Sequence, residues 1–178
     1  SNLEELERLR SIVNDMLFLA SADQGNKATA LTSSSLAEEV ATTLDYLDYI
    51  LEDAQVRVHV SGDARARIEK AQLRRALINL INNAVQHTAR QQVIRVSIEQ
   101  TQDQVCIAVS NPGPLIDAEH LPRLFERFYR VDAARSNGAT GNHGLGLAIV
   151  KAIALMHGGS VFARSQAGAN TFGIVLPA

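Results

Sequence analysis

Residues 77–88 read LINLINNAVQHT, three asparagines and a glutamine inside a run whose apolar residues recur with the period of a helix. At about 100° per residue, Asn79, Asn82, Asn83, Gln86 and His87 share one arc. Leu73, Leu77, Leu80, Ile81, Ala84 and Val85 share the opposite one. The pattern predicts a helix over about 69–88, with one face in a core and a stripe of amides on the other. A solvated helix back is the ordinary explanation of such a stripe, but solvated backs favour Glu, Lys and Arg. Each asparagine costs roughly 0.5 kcal/mol of helix propensity, which favours a use for the amides. An amide oxygen is a hard, neutral donor of the kind Mg²⁺ accepts, and Asn79 and Asn83, one turn apart, face one point.

Two glycine-bearing stretches sharpen this reading. VSNPGPLI (109–116) follows a strand pattern, so its turn lies at a strand end where a ligand can reach the backbone. GNHGLGLAIVKAI (141–153) is a glycine-rich loop running straight into a helix. Gly144 and Gly146 lack Cβ atoms, so an anion can approach backbone N–H groups at the positive end of that helix. The chain has no G-x-x-x-x-G-K-[ST] sequence and so is not a P-loop protein.

Elsewhere the pattern predicts a helix over 1–22 whose Leu6, Leu9, Val13, Met16 and Ala20 form a coiled-coil-like seam. DQGNKAT (23–29) breaks it. One further helix is expected over about 34–52, a strand at VRVHV (56–60) and a turn at SGD (61–63). VIRVSIEQ (93–100) and QVCIAVS (104–110) predict an antiparallel hairpin, 117–128 a short helix, and 130–143 a long flexible loop. A helix over 144–157 and strands at SVFARS (160–165) and TFGIVLP (171–177) complete an α+β arrangement.

The 178 residues suffice for one domain with an appendage, and 46% hydrophobic residues support a packed core. A net charge of −2 gives no electrostatic reason to expect nucleic acid. A single cysteine, Cys106, builds neither a disulfide nor a zinc site and is expected as a small buried residue in a reducing compartment. No run approaches the ~18 apolar residues of a membrane span, so the sequence as given predicts a soluble, intracellular chain.

Four motifs in order carry a family resemblance: NLINNA (79–84), NPGPLI (111–116), LFERFYR (124–130) and HGLGLAIV (143–150). They resemble the N, G1, F and G2 boxes of the ATP-binding catalytic domain of bacterial sensor histidine kinases, in the GHKL superfamily. Residues 30–178 resemble that domain, with an ATP lid at 129–143. Residues 1–25, through NDMLFLASAD, resemble the second helix of a dimerisation and histidine-phosphotransfer domain. EHLPRLFERFYRVDAAR (119–135) looks most like the heavy-metal (copper- or silver-responsive) subgroup. The resemblance implies a two-layer, Bergerat-type sandwich of mixed, mostly antiparallel sheet covered by helices.

It further implies ATP and Mg²⁺ as cofactors. Nucleotide contacts would come from Asn79, Asn83, Gln86, His87, Asn111, Gly113, Ile116, Tyr129, Arg130, Gly141, His143, Gly144, Leu145, Gly146, Leu147 and Thr171, with Asn83 the metal ligand. Arg135 is a further candidate for phosphate. Expected partners are the protein's own dimerisation domain, a response regulator and a second copy in a homodimer, with no nucleic acid. The implied location is the cytoplasmic portion of a bacterial inner-membrane protein. The alternative is a regulatory module that binds nucleotide weakly and acts through protein contacts. A gyrase-type ATPase is disfavoured, because Asn79 stands where those enzymes carry a catalytic glutamate.

This sequence departs from the family pattern at several positions. Asn111 replaces the usual adenine-reading aspartate, and Leu115 the second G1 glycine. Gln86 and His87 replace a cation and an aromatic, Asn142 replaces the first G2 glycine, and Ala169-Asn170 stands for a Gly-Thr pair. An asparagine at 111 can present either end of its amide, which predicts weakened discrimination between ATP and GTP. None of the five histidines stands in an acceptor-histidine sequence.

Overall fold

The computed structural model describes residues 1–131, 144–166 and 168–178. Its elements are α1 (Asn2–Asp23), β1 (Thr32–Ser35), α2 (Leu36–Tyr46), α3 (Asp48–Ala54), β2 (Arg57–Ser61), β3 (Arg65–Ile68) and α4 (Lys70–Gln86). They continue as β4 (Val93–Gln100), β5 (Gln104–Pro112), a 3₁₀ turn (Leu121–Arg123), α5 (Gly146–Met156), β6 (Ser160–Gln166) and β7 (Ala169–Pro177).

The five-stranded sheet runs in the order β2-β4-β5-β7-β6. Only β2 and β4 are parallel; every other neighbouring pair is antiparallel. A parallel pair needs a crossover, and α4 lies on that connection. On β5 the buried positions Val105, Ile107, Val109 and Asn111 alternate, so one face of the sheet meets the helices. Leu73, Leu77, Leu80 and Ile81 of α4 and Ile149, Val150 and Ile153 of α5 are buried against it. This is the two-layer α+β arrangement that the motifs imply.

The expected 34–52 helix is divided. Ser35 caps α2 by accepting from the Glu38 N–H at 3.2 Å. Thr43 Oγ1 then donates to the Glu39 carbonyl at 2.8 Å, a back-bond that bends helices, and the chain breaks at Leu47. Glu39, 4% exposed, ties α2 to α4 through Arg74 Nε at 2.8 Å and Lys70 Nζ at 3.8 Å.

The expected 117–128 helix is instead a staircase of turns. The N–H groups of His120, Arg123, Glu126 and Tyr129 bond in series to the carbonyls of Asp117, His120, Arg123 and Glu126. Pro122 lacks the N–H that an α-helix would need there. Cys106 is half-buried rather than buried, on the sheet face away from the helices. Burial pushes its thiol pKa up, and Arg164 opposes that shift.

Residues Leu6, Leu9, Val13 and Met16 of α1 are exposed. Its other side docks on the body through Ile12, Phe18 and Leu19. Arg75 pairs with Asp15 at 2.7 Å, its guanidinium 4.4 Å from the Phe18 ring centre, and Arg127 pairs with Asp23 at 2.6 Å. Among the described residues no helix is long and apolar enough to cross a membrane.

Candidate functional site

The amide stripe of α4 lies beside the start of α5. A Cβ at Gly146, the first residue of α5, would sit 3.8 Å from Asn79 Cγ and Oδ1. Leu145 at its N-cap position makes no side-chain cap hydrogen bond, and the helix opens on glycine. Asn83 is half-buried, and its Nδ2 is fully buried with no hydrogen-bond partner. A buried, unpaired amide costs about 1–3 kcal/mol unless something meets it.

The second segment expected at the site is the end of β5. Asn111, 1% exposed, donates from Nδ2 to the Pro112 carbonyl at 2.9 Å, and its Oδ1 is buried with no partner. A carbonyl only accepts, so the nitrogen must face Pro112, and the oxygen is the end left to a ligand. The free choice of amide end expected from the sequence is therefore not available.

The following turn is held by residues that sequence reasoning did not assign. Asn170, 5% exposed, donates from Nδ2 to the Pro114 carbonyl at 2.9 Å and accepts from Ser165 Oγ at 2.5 Å. Ser165 in turn accepts from the Ile116 N–H at 2.8 Å. Gly113 is wedged between these amides, where a Cβ would stand 2.9 Å from Asn170 Nδ2 and 3.4 Å from Asn111 Nδ2. Asn170 is the Cα partner of Asn111 across the β5–β7 ladder; in the sequence only its place at the family's Gly-Thr pair marked it.

Thr171 is not brought to this cluster. It is one residue from Asn170 on β7 and so faces the other side of the sheet, where its hydroxyl donates to Ser110 Oγ at 3.1 Å.

The third part is a pinch between the F-box segment and the glycine-rich loop. Phe128, 57% exposed, has φ +63° and donates its N–H to the Gly144 carbonyl at 2.8 Å. Gly144 has φ +80°, and a Cβ there would lie 2.8 Å from Phe128 Cα. Only glycine fits both demands. The pinch joins the two ends of the segment from Tyr129 to His143. Leu145 is buried beneath it and Leu147 is half-buried.

The Tyr129 hydroxyl bonds His120 Nδ1, and Arg123 stacks 4.5 Å from its ring centre, so this tyrosine is committed to the turn staircase. Arg130 is half-buried. Gln86 and His87 are exposed at the end of α4, and loss of hydration on the covered part of the His87 ring lowers its pKa. Below its ordinary 6.5, His87 is neutral at pH 7 and does not restore the missing cation. Gly141, His143, Arg135 and Asn142, with the loop expected over 130–143, lie outside the described residues from 132 onward.

Residues 68–178 match the family described as histidine kinase-, DNA gyrase B-, and HSP90-like ATPase. Sensor histidine kinase CusS of Escherichia coli K12 is 43% identical over 100% of this chain and 37% of its own length. The chain thus spans a little over a third of such relatives. The structure of histidine kinase AdeS from Acinetobacter baumannii superposes with a TM-score of 0.82 at 21% identity, covering 98% of this chain and 81% of that one. Histidine kinase ThkA, in a complex with response regulator protein TrrA, gives 0.72 at 23% identity, over 97% of this chain and 48% of that one. At these identities the structures show a shared fold.

Proposed function

The chain belongs to the histidine kinase-, DNA gyrase B-, and HSP90-like ATPase family, and on that premise we propose that it is the ATP-binding catalytic part of a sensor histidine kinase. It delivers the γ-phosphate to a histidine on a dimerisation domain, from which a response regulator takes it. The observation that carries this reading is the orphaned Asn111 Oδ1, a buried acceptor at a strand end matched to the amino group of adenine.

The residues also fit the metal. Mg²⁺ takes oxygen donors and keeps several waters, so one asparagine oxygen with phosphate oxygens completes an ordinary shell. Asn83 holds the ion, with Asn79 one turn away, and Mg²⁺ supplies neutralisation of phosphate charge. The glycine-bearing start of α5, at Gly144 to Gly146, receives the phosphates. Chemistry in this class is positioning and charge neutralisation, and the protein side of both is supplied by these three segments. The base for the imidazole proton belongs beside the acceptor histidine.

Residues 1–25 act as the second helix of the dimerisation domain and 30–178 as the catalytic domain, with the lid at 129–143. The wording of 119–135 points to the metal-responsive subgroup, in the cytoplasmic portion of an inner-membrane protein that works as a homodimer. The test is calorimetric titration with ATP, with and without Mg²⁺, followed by transfer of labelled phosphate to a separate protein carrying the acceptor helix. Binding of ATP without any transfer would leave only the nucleotide-binding part of the proposal standing.

A further inference from the structure

On the far side of α5 from its N-terminus lies a cleft of about 480 Å³ that the proposed function does not use. One wall is the turn staircase, at Leu121, Pro122 and Phe125, and the other is α5, at Lys151 and Leu155. Its floor is four consecutive residues of β6, Ser160 to Ala163. β6 is the edge of the sheet, hydrogen-bonded to β7 alone. Among the described residues, no backbone–backbone hydrogen bond joins residues 160–163 to any segment outside the sheet. In an antiparallel edge strand, alternate residues turn both N–H and C=O outward, so this floor offers an unfilled row of donors and acceptors.

The chemistry of the walls selects an occupant. Leu155 is 58% exposed although it borders the cleft, leaving apolar surface open beside the strand edge. Lys151 stands one helical turn before it, without an ion pair among the described residues. Among the described residues, no Asp or Glu lines the cleft. One lysine on its rim, apolar walls and an open strand edge together match one ligand class.

We propose that this cleft is a docking site for an extended, acidic peptide segment of a partner protein, which adds to β6 as a sixth strand. Its apolar side chain enters between Phe125 and Leu155, and its carboxylate pairs with Lys151. Main-chain bonds supply the affinity and the two side-chain contacts the selectivity, as in other strand-addition sites.

The experiment is selection of a displayed random heptapeptide library on the intact chain, then titration of the winning synthetic peptide. The expected winners alternate apolar residues with an Asp or Glu. Lys151→Glu should weaken them by about tenfold or more, as loss and reversal of a charge-assisted contact does. Leu155→Asp should do likewise, and ATP affinity should be unchanged in both, since both side chains are exposed and neither belongs to the nucleotide site. N-methylation of alternate peptide residues should abolish binding in one of the two alternating sets.

A selection that returns no peptide overturns the proposal. So do winners indifferent to Lys151→Glu and to N-methylation. Saturation by sodium decanoate where no peptide binds gives the cleft to a small anionic amphiphile instead, and overturns it too.

Discussion

Asn83 and Asn111 are the two residues whose buried amide atoms have no partner in the site, and each leads to a measurement. Asn83→Ala removes the proposed protein oxygen on Mg²⁺. ATP affinity in Mg²⁺ should fall by about 1–3 kcal/mol, while the much weaker affinity in EDTA should hardly change. Calorimetry on both proteins reads this, and equal losses in the two buffers would take the metal away from Asn83. At position 111, the bond from Nδ2 to the Pro112 carbonyl fixes the oxygen as the end left for the proposed base contact. ATP should therefore be preferred over GTP, whose base presents a carbonyl oxygen at the corresponding place. Asn111→Asp turns a carboxylate oxygen toward the Pro112 carbonyl, so its main effect should be a stability loss of about 1–3 kcal/mol. Its ATP-to-GTP affinity ratio should stay within a few-fold of the parent. A large rise in that ratio would show that the parent amide does flip. Denaturant melts and competition titrations separate the two outcomes.

Among the elements, the turn from β2 into β3 and the pinch at Phe128–Gly144 carry the strongest local constraints. Asp63 accepts from the N–H groups of Ala37 at 3.0 Å and Ala64 at 2.7 Å and from Ser35 Oγ at 3.1 Å. The bond from Ala37, with help from Ala64, Ser35 and Arg65, outweighs partial desolvation and lowers its pKa below the ordinary 3.8. The unfolded chain therefore binds this proton more readily than the folded one. The contribution of Asp63 is complete above 3.8 and disappears as pH falls through its lower folded value. Asp63→Asn should flatten that part of the acid limb in thermal melts taken from pH 5 to 2. Gly144→Ala places a Cβ against the Phe128 backbone at positive φ. It should cost on the order of 1–3 kcal/mol, or about 2–10 °C in melting temperature. α4, the β4–β5 hairpin and α5 were legible because their apolar periods are long and regular. β1 was not, since TSSS has no apolar side chain and its partner β3 lies some thirty residues away. Ser165 was hidden for a related reason, and Asn170 was marked only by its place at the Gly-Thr pair, because both meet the 112–116 turn only through strand pairing. Thr171 neighbours Asn170 in the sequence, but in a strand one residue is the other face.

For the whole molecule, the exposed seam of α1 is a single helix surface, with no second helix laid along it among the described residues. A bundle needs more apolar surface than that, so light scattering at micromolar concentration should report mostly monomer. A dimer that survives dilution would mean that α1 pairs on its own. The order of the sheet also bears on when the protein becomes competent during synthesis. β5 pairs on one side with β4, its neighbour in sequence, and on the other with β7, about sixty residues further on. Contacts of such separation form late, after the entropy of closing the intervening chain has been met. Asn170 sits on β7 and fixes the turn beside Asn111, so the last long-range pairing to form also completes the base end of the cleft. A nascent chain on the ribosome should thus carry a formed β4–β5 hairpin well before it can hold a nucleotide. Binding should begin only once β7 has left the exit tunnel.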